Sequence, residues 1–499
     1  MSSASVVFTP SGKRGSFPHG TPVLQAARSL GVDLDSVCGG RGICARCQVI
    51  HTTGEFPKHG LVSAASHLSP FDATEEKLVR KTTRLKSGRR LGCTAQILGD
   101  CVIDVPPESQ IHRQVVRKEA EIREIKIDPV VKLYYVEVEP PKMEDPTSDL
   151  RRLLKALEAE WGLQKIKVPH SILEMLQPTL REGKWKVTVA VDHDGIMRGI
   201  WSDFREHLYG IAVDIGSTTL AAHLCELGSG EVLSSAGMMN PQIRFGEDLM
   251  SRVSYVMLNQ EGEKELTKSV REALNQLSLE VCEQAGIQKE EVMEMVMVGN
   301  PVMHHLVHGI NPVELGGAPF ALATDEAIIT PASELDLELH QLARTYTLPC
   351  IAGHVGADTA AMVLAEAPHH QEAITLLVDV GTNAEIVLGN RDRLLAASSP
   401  TGPAFEGAQI SSGQRAAPGA VERVRIDPKT LEPRFRVIGS ECWSDDVSFA
   451  EETKKTGVTG ICGSGIIEAI AELYLCGIIS QDGLFDESMM GRSNRIIKE

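Results

Sequence analysis

Cys38-Gly39-Gly40-Arg41-Gly42-Ile43-Cys44-Ala45-Arg46-Cys47 packs three thiols into ten residues, and a fourth follows at a distance in Leu91-Gly92-Cys93. A loop that wraps a compact inorganic centre needs positive φ angles and close backbone approach. Gly39, Gly40 and Gly42 supply both without a Cβ penalty. Their N–H groups are then available to sulfur, and such hydrogen bonds help to set a reduction potential. Arg41 and Arg46 either add positive charge beside an anionic centre or are a plain solvated part of the loop. Four thiolates suit a [2Fe–2S] cluster or a closed tetrahedral zinc site. Structural zinc usually takes two C-x2-C knuckles, whereas this pattern has one knuckle and a lone distant cysteine. The cluster is therefore the preferred reading, with Cys38, Cys44, Cys47 and Cys93 as ligands and Cys101 as the rival for the fourth place.

The flanking residues read as a small β-rich domain. Val6–Phe8 is a strand, and Thr21 before Pro22 is the predicted N-cap of a helix from Val23 to Leu30, closed by Gly31. A strand resumes at Cys47-Gln-Val-Ile. Plant-type ferredoxins space their first ligands as C-x4-C-x2-C. The first gap here is five residues, the variant that resembles adrenodoxin-type [2Fe–2S] ferredoxins and implies a β-grasp fold for residues 1–106.

Composition narrows the rest. A chain of 499 residues is too long for one core and implies several domains. Fifty basic against sixty-seven acidic residues leave a net charge of -17, which repels nucleic acid and anionic membranes. The N-terminus lacks the basic start and apolar run of a secretory signal, and no uninterrupted apolar stretch has membrane-spanning length, so a cytoplasmic location is expected. The seven remaining cysteines beyond the four proposed ligands are scattered singly and read as small buried hydrophobes.

Two later segments repeat one pattern. Ile211-Ala-Val-Asp214-Ile-Gly216-Ser217-Thr218-Thr219 runs into Leu220–Leu224, a Gly-Ser-Gly turn and Val232–Ala236. Leu376-Leu-Val-Asp379-Val-Gly381-Thr382-Asn383 runs into Ala384–Leu388, a Gly-Asn turn and Leu394–Ala397. Asp214 matches Asp379 and Gly216 matches Gly381, which implies two similar halves facing each other. Turns of Gly with Ser, Thr or Asn present N–H groups and hydroxyls to an anion. An Asp at the preceding strand end can hold Mg²⁺ or orient a water. Two such turns across a cleft would grip the phosphates of ATP. Between them, Leu266, Val270, Leu274, Leu277 and Val281 mark an amphipathic helix, and Val292–Val298 a buried strand. His304 and His305 read as helix polar groups first and site residues second.

The order of ferredoxin domain, connector and duplicated clamp resembles the reductive activators of corrinoid proteins, whose C-terminal part is of the acetate and sugar kinase/Hsc70/actin (ASKHA) type. Asn240-Pro-Gln-Ile-Arg-Phe-Gly246-Glu-Asp248, Gly299-Asn300-Pro-Val-Met-His304-His305, Gly402-Pro-Ala-Phe-Glu406-Gly407 and Gly460-Ile-Cys-Gly463-Ser464-Gly465 carry the resemblance further. It implies ATP-dependent one-electron reduction of a Co(II) corrinoid protein to Co(I), fed by an upstream low-potential donor, and it allows a homodimer. Plant-type clusters sit near about -400 mV, and each ~59 mV of uphill gap costs tenfold in a one-electron equilibrium. Coupling to ATP is the implied remedy. The resemblance assigns Asp214 and Asp379 to Mg²⁺ and phosphate, and Asp248 and Glu406 to metal or water positioning. It assigns Gly216, Ser217, Thr218, Thr219, Gly381, Thr382, Asn383, Gly463, Ser464 and Gly465 to the nucleotide. Residues 107–125 read as a linker, 126–206 as a small α+β spacer with a strand at Val131–Val138 and a helix at Asp149–Trp161, and 207–499 as the ASKHA domain. The family pattern is expected to continue beyond Glu499, which places adenine recognition in question. Two rival readings remain: a ferredoxin carrier with a docking module that lacks ATPase activity, and a redox-linked small-molecule kinase.

Overall fold

The structure is a computed structural model that describes residues 3–32, 34, 42, 45–82, 85–106, 109–110, 126–246, 248–381, 383–400, 412–414, 416–454, 456–489, 491–492 and 495. Its first domain contains β1 (Ser3–Thr9), β2 (Lys13–Pro18), α1 (Val23–Ser29), β3 (Gln48–Thr52), β4 (Gly54–Phe56), β5 (Leu61–Ser63), α2 (Ala73–Thr82), β6 (Arg90–Leu91) and β7 (Cys101–Asp104). The strands order as β2-β1-β7-β3-β6, with β1 and β7 parallel at the centre and antiparallel pairs outside. That is the expected β-grasp. Val23, Leu24, Ala26 and Ala27 of α1 cover it, packing with Phe8, Val49, Ile97 and Ile103.

Thr21 does not cap α1, contrary to the sequence expectation. Its hydroxyl donates to the Pro18 carbonyl at 2.7 Å, while its own carbonyl accepts from Ile97 N–H at 3.0 Å. The residue is held in a strand-like pairing, and the helix begins from Pro22 with no side-chain cap. Gly31 follows the helix at φ +63, in the left-handed conformation that its lack of a Cβ favours.

The second domain is a sheet β10-β9-β8 built from β8 (Val131–Glu137), β9 (Lys186–Asp192) and β10 (Met197–Ser202), covered by α3 (Asp149–Trp161) and α4 (His170–Glu182). A third region carries β11 (Tyr209–Ile215), β12 (Thr219–Glu226), β13 (Val232–Met239), α5 (Leu249–Leu258), α6 (Gly262–Ala285), β14 (Val292–Gly299), α7 (Pro301–Val307), β15 (Ile328–Pro331), β16 (Arg344–Thr347) and α8 (Ala357–Glu366). Its sheet runs β13-β12-β11-β14-β16-β15, and α6 buries the predicted face of Leu266, Val270, Leu274, Leu277 and Val281. The second and third regions are keyed by buried charge. Arg344 donates to Glu294 at 2.7 Å and stands 4.0 Å from Asp192, which Arg198 also holds at 2.7 Å.

The last region repeats the opening hairpins as β17 (Thr375–Val380), β18 (Asn383–Gly389) and β19 (Leu394–Pro400). It continues with β20 (Ala420–Ile426), β21 (Pro433–Val437), α9 (Phe449–Glu452), β22 (Gly460–Ile461) and α10 (Gly463–Leu475). β11 is central in its sheet, whereas β17 is the edge of the order β17-β18-β19 among the described residues. Leu376, Val378 and Val380 on that edge are 60%, 49% and 56% exposed. Among the described residues no helix is long and apolar enough to cross a membrane.

Candidate functional site

Two ligand candidates, Cys38 and Cys44, lie outside the described residues together with Gly39 and Gly40. The other two are brought side by side. Gly92 N–H donates to the Cys47 carbonyl at 2.7 Å, which sets Cys93 next to the residue that leads into β3. Ala45 is in the left-handed region at φ +54, and Gly42 at φ +68 faces Thr74, whose Cγ2 would lie 2.7 Å from an added Cβ. The strand before Cys93 is fixed by a fully buried Glu75, which accepts from Leu91 N–H at 2.7 Å and from the Arg90 guanidinium at 2.9 and 3.0 Å. Cys101 is different. It sits fully buried in β7 opposite Val6, and burial pushes its thiol up to about 12. Cys47 and Cys93 are the pair that the Gly92–Cys47 hydrogen bond brings together, as a shared cluster requires, whereas Cys101 lies within β7.

At the first of the two repeated turns, Asp214 lies near the end of β11 and is half-buried. Gly216 N–H closes the turn on the Thr219 carbonyl at 3.0 Å, and an added Cβ on Gly216 would stand 2.6 Å from that oxygen. The back of the turn is pinned. Asn240 donates from its side chain to the Gly216 carbonyl at 2.8 Å and from its backbone to the Thr218 carbonyl at 2.8 Å. Asn300 donates to the Ser217 hydroxyl at 3.0 Å, and Arg252 donates to the Ser217 carbonyl. Asn240, Arg252 and Asn300 are all buried.

The second turn closes the same way, with Gly381 N–H on the Asn383 carbonyl at 2.8 Å. It is one residue shorter: Ile215 pairs with Leu220, whereas Val380 pairs with Ala384. Thr382 and Glu406 lie outside the described residues. Asp248 is the N-cap of α5, accepting from Ser251 N–H at 2.7 Å, which gives it a structural task the sequence did not assign. Gly463, Ser464 and Gly465 form the first turn of α10, where an added Cβ on Gly465 would meet the Val421 carbonyl at 2.3 Å. His305 is satisfied by the Pro301 carbonyl and Ala323 N–H, and His304 is buried with neither ring nitrogen partnered.

Two acids emerge that sequence reading passed over. Asp358, at the start of α8, is pushed up to about 6 by burial, with Asp214 and Asp379 adding to the rise. Glu385 is pushed up to about 7 by burial, with Asp358 and Asp379 adding to it. Asp358 therefore feels the charge of the strand-end aspartate of each hairpin. Glu385 pairs directly with Asp379 across β17 and β18, so both side chains share one face. The signal for Glu385 was its cross-strand register. The signal for Asp358 is the polar turn Gly353-His-Val-Gly356-Ala-Asp358, which resembles the other turns at strand ends. Such an all-oxygen donor set suits Mg²⁺. Among the described residues no three such side chains close on a point tightly enough to ligate a metal unaided. Mg²⁺ ordinarily keeps several waters and takes oxygens from substrate phosphates, so the arrangement is compatible with it.

Comparison with known proteins follows the same division. Residues 8–96 match the 2Fe-2S iron-sulfur cluster binding domain, 120–207 the RACo linker region, 209–371 the RACo middle region, and 373–499 the C-terminal ASKHA domain of RACo. Corrinoid activation enzyme RamQ of Eubacterium limosum is 30% identical over 470 residues, covering 93% of this chain and 69% of the relative. The [Co(II) methylated amine-specific corrinoid protein] reductase of Methanosarcina barkeri is 28% identical over 290 residues, covering 55% of this chain and 52% of the relative. A solved structure, "Reductive activator for corrinoid,iron-sulfur protein", superposes with a TM-score of 0.64 at 31% identity, covering 97% of this chain and 74% of that one.

Proposed function

The chain belongs to the family of reductive activators of corrinoid proteins, and we propose that it passes one electron from a [2Fe–2S] cluster to the Co(II) corrinoid of a partner protein, at the expense of ATP. The observation that carries this reading is the union in one chain of paired Cys47 and Cys93 segments with two aspartate hairpins whose charges both act on Asp358. The cluster, when bound, supplies a one-electron carrier. Cys38, Cys44, Cys47 and Cys93 hold it. Held there, the cluster would supply one electron for each Co(II) reduced to Co(I), and an upstream low-potential donor would have to replace it.

On the nucleotide side, Asp214 and Asp379 hold Mg²⁺ through oxygen, directly or through water. Ser217, Thr218 and Asn383 would turn N–H groups and side chains to the phosphates, and Gly381 closes the second turn beside them. A cation there would favour the ionised forms of Glu385 and Asp358, opposing the burial, and the lesser repulsion, that raise them. Titrating reduced protein with a Co(II) corrinoid protein under visible and EPR detection tests the reading. The Co(II) signal is expected to vanish only with ATP, and a signal that persists regardless of nucleotide would end it. Asp379→Ala is expected to reduce ATP turnover at least a hundredfold, about 2.7 kcal/mol or more of lost transition-state stabilisation, with the cluster spectrum unchanged. Intact turnover would defeat that assignment.

A further inference from the structure

The cluster domain and the phosphate turn are joined through one short helix. Cys47 leads into β3, and β3 leads into the β4–β5 hairpin. Asn259, the C-cap of α5, grips the Glu55 backbone of that hairpin twice. Glu55 N–H donates to its Oδ1 at 3.1 Å, and its Nδ2 donates to the Glu55 carbonyl at 3.4 Å. The Phe56 ring lies against Tyr255 with centroids 5.7 Å apart, and Tyr255 lies 4.9 Å from Phe245. The Tyr255 hydroxyl donates to Glu265 at 2.8 Å. Gly54 completes the fit. It sits at φ +143, and an added Cβ would stand 2.8 Å from Asn259 Oδ1 and 3.0 Å from the Tyr255 ring. A side chain there strains the backbone and crowds the docked Asn259 and Tyr255.

The other end of α5 holds the phosphate turn. Arg252 is completely buried and donates to the Ser217 carbonyl, to the Gly246 carbonyl at 3.0 Å and to Gln242 Oε1 at 3.1 Å. Ser217 carbonyl and Thr218 N–H belong to one peptide unit. A phosphate oxygen accepting from that N–H polarises the unit and makes the carbonyl behind it a stronger acceptor for Arg252. A negative phosphate also attracts the buried guanidinium itself.

We infer that α5 is a latch through which nucleotide at the Ser217 turn tightens docking of the cluster domain. The inference rests on the nucleotide role proposed for that turn. Filling the turn fixes Arg252, and with it the face of α5 that presents Tyr255 and Asn259 to the hairpin. Linkage makes the effect reciprocal: docking strengthens nucleotide binding by the same factor that nucleotide strengthens docking.

Hydrogen exchange of residues 53–63 in the full chain, with and without Mg-ATP, tests this alongside ATP affinity by calorimetry. Wild type, Asn259→Ala and Gly54→Ala are compared. ATP is expected to slow exchange in the hairpin several-fold in wild type. Both variants are expected to exchange fast there and to bind ATP several-fold more weakly, although neither position touches the turn. Asn259→Ala removes only side-chain bonds at a helix end, so it keeps the test open if Gly54→Ala folds poorly. Unchanged exchange at saturating ATP overturns the latch alone, as does a loosened hairpin with wild-type affinity. A wild-type chain that binds no ATP overturns the phosphate reading and the latch together.

Discussion

Cys93 and Cys101 lie close in sequence, and their surroundings decide between them. Cys93 follows a strand tied to Cys47 and Glu75, while Cys101 is sealed within β7, opposite Val6. Cys93→Ser is expected to abolish the visible absorbance of the cluster, and Cys101→Ser to preserve it. Anaerobic reconstitution with iron and sulfide counts are the check, and loss of iron from the Cys101 variant would reverse the assignment. The cysteine pattern was readable because ligand spacing is local. Glu385 was not, because its importance comes from standing across a strand pair from Asp379, and the matching position opposite Asp214 is Ala221. Comparing the two copies of the repeat therefore hid it.

At the level of elements, helices and hairpins followed from periodicity and turn residues, whereas their ends did not. Thr21 had the composition of a cap but was drawn into pairing with Ile97. Asp248 was read as a metal or water residue and caps α5. Asp248→Ala is expected to lower stability by about 1 kcal/mol while ATP turnover persists, as denaturant midpoints and phosphate release would record. Lost turnover at unchanged stability would return Asp248 to the metal. The docking of β4–β5 on α5 was beyond sequence reading, since Glu55 and Asn259 are 204 positions apart and neither belongs to a motif.

Across the whole molecule, buried charge and buried histidine set the limits of stability. Arg344→Ala would leave Glu294 buried without its 2.7 Å partner, a loss of about 3–5 kcal/mol. Chemical denaturation is expected to show it, with the spacer and third region loosening together. Burial holds His51, His304, His308 and His340 down at about 4. An unfolded chain protonates them near 6.5, so between about 6.5 and 4 it binds more protons and stability falls as pH falls. Asp358 and Glu385 act in the opposite sense, since they keep protons in the fold up to about 6 and 7. Four histidines outweigh two carboxylates, so the protein is expected to denature more easily at pH 5 than at pH 7.5. Greater resistance at pH 5 would show that the carboxylates dominate.

The edge position of β17 also has a practical cost at the bench. Among the described residues that edge pairs with no further strand, and the backbone beside exposed Leu376, Val378 and Val380 is a template on which another molecule's strand can settle. Within β17 the charged residue is Asp379, with Glu385 across from it, and ATP and its cation would neutralise them. Concentrated stocks should therefore scatter more light as magnesium nucleotide is added, and colloidal behaviour becomes a readout of whether the second hairpin is engaged.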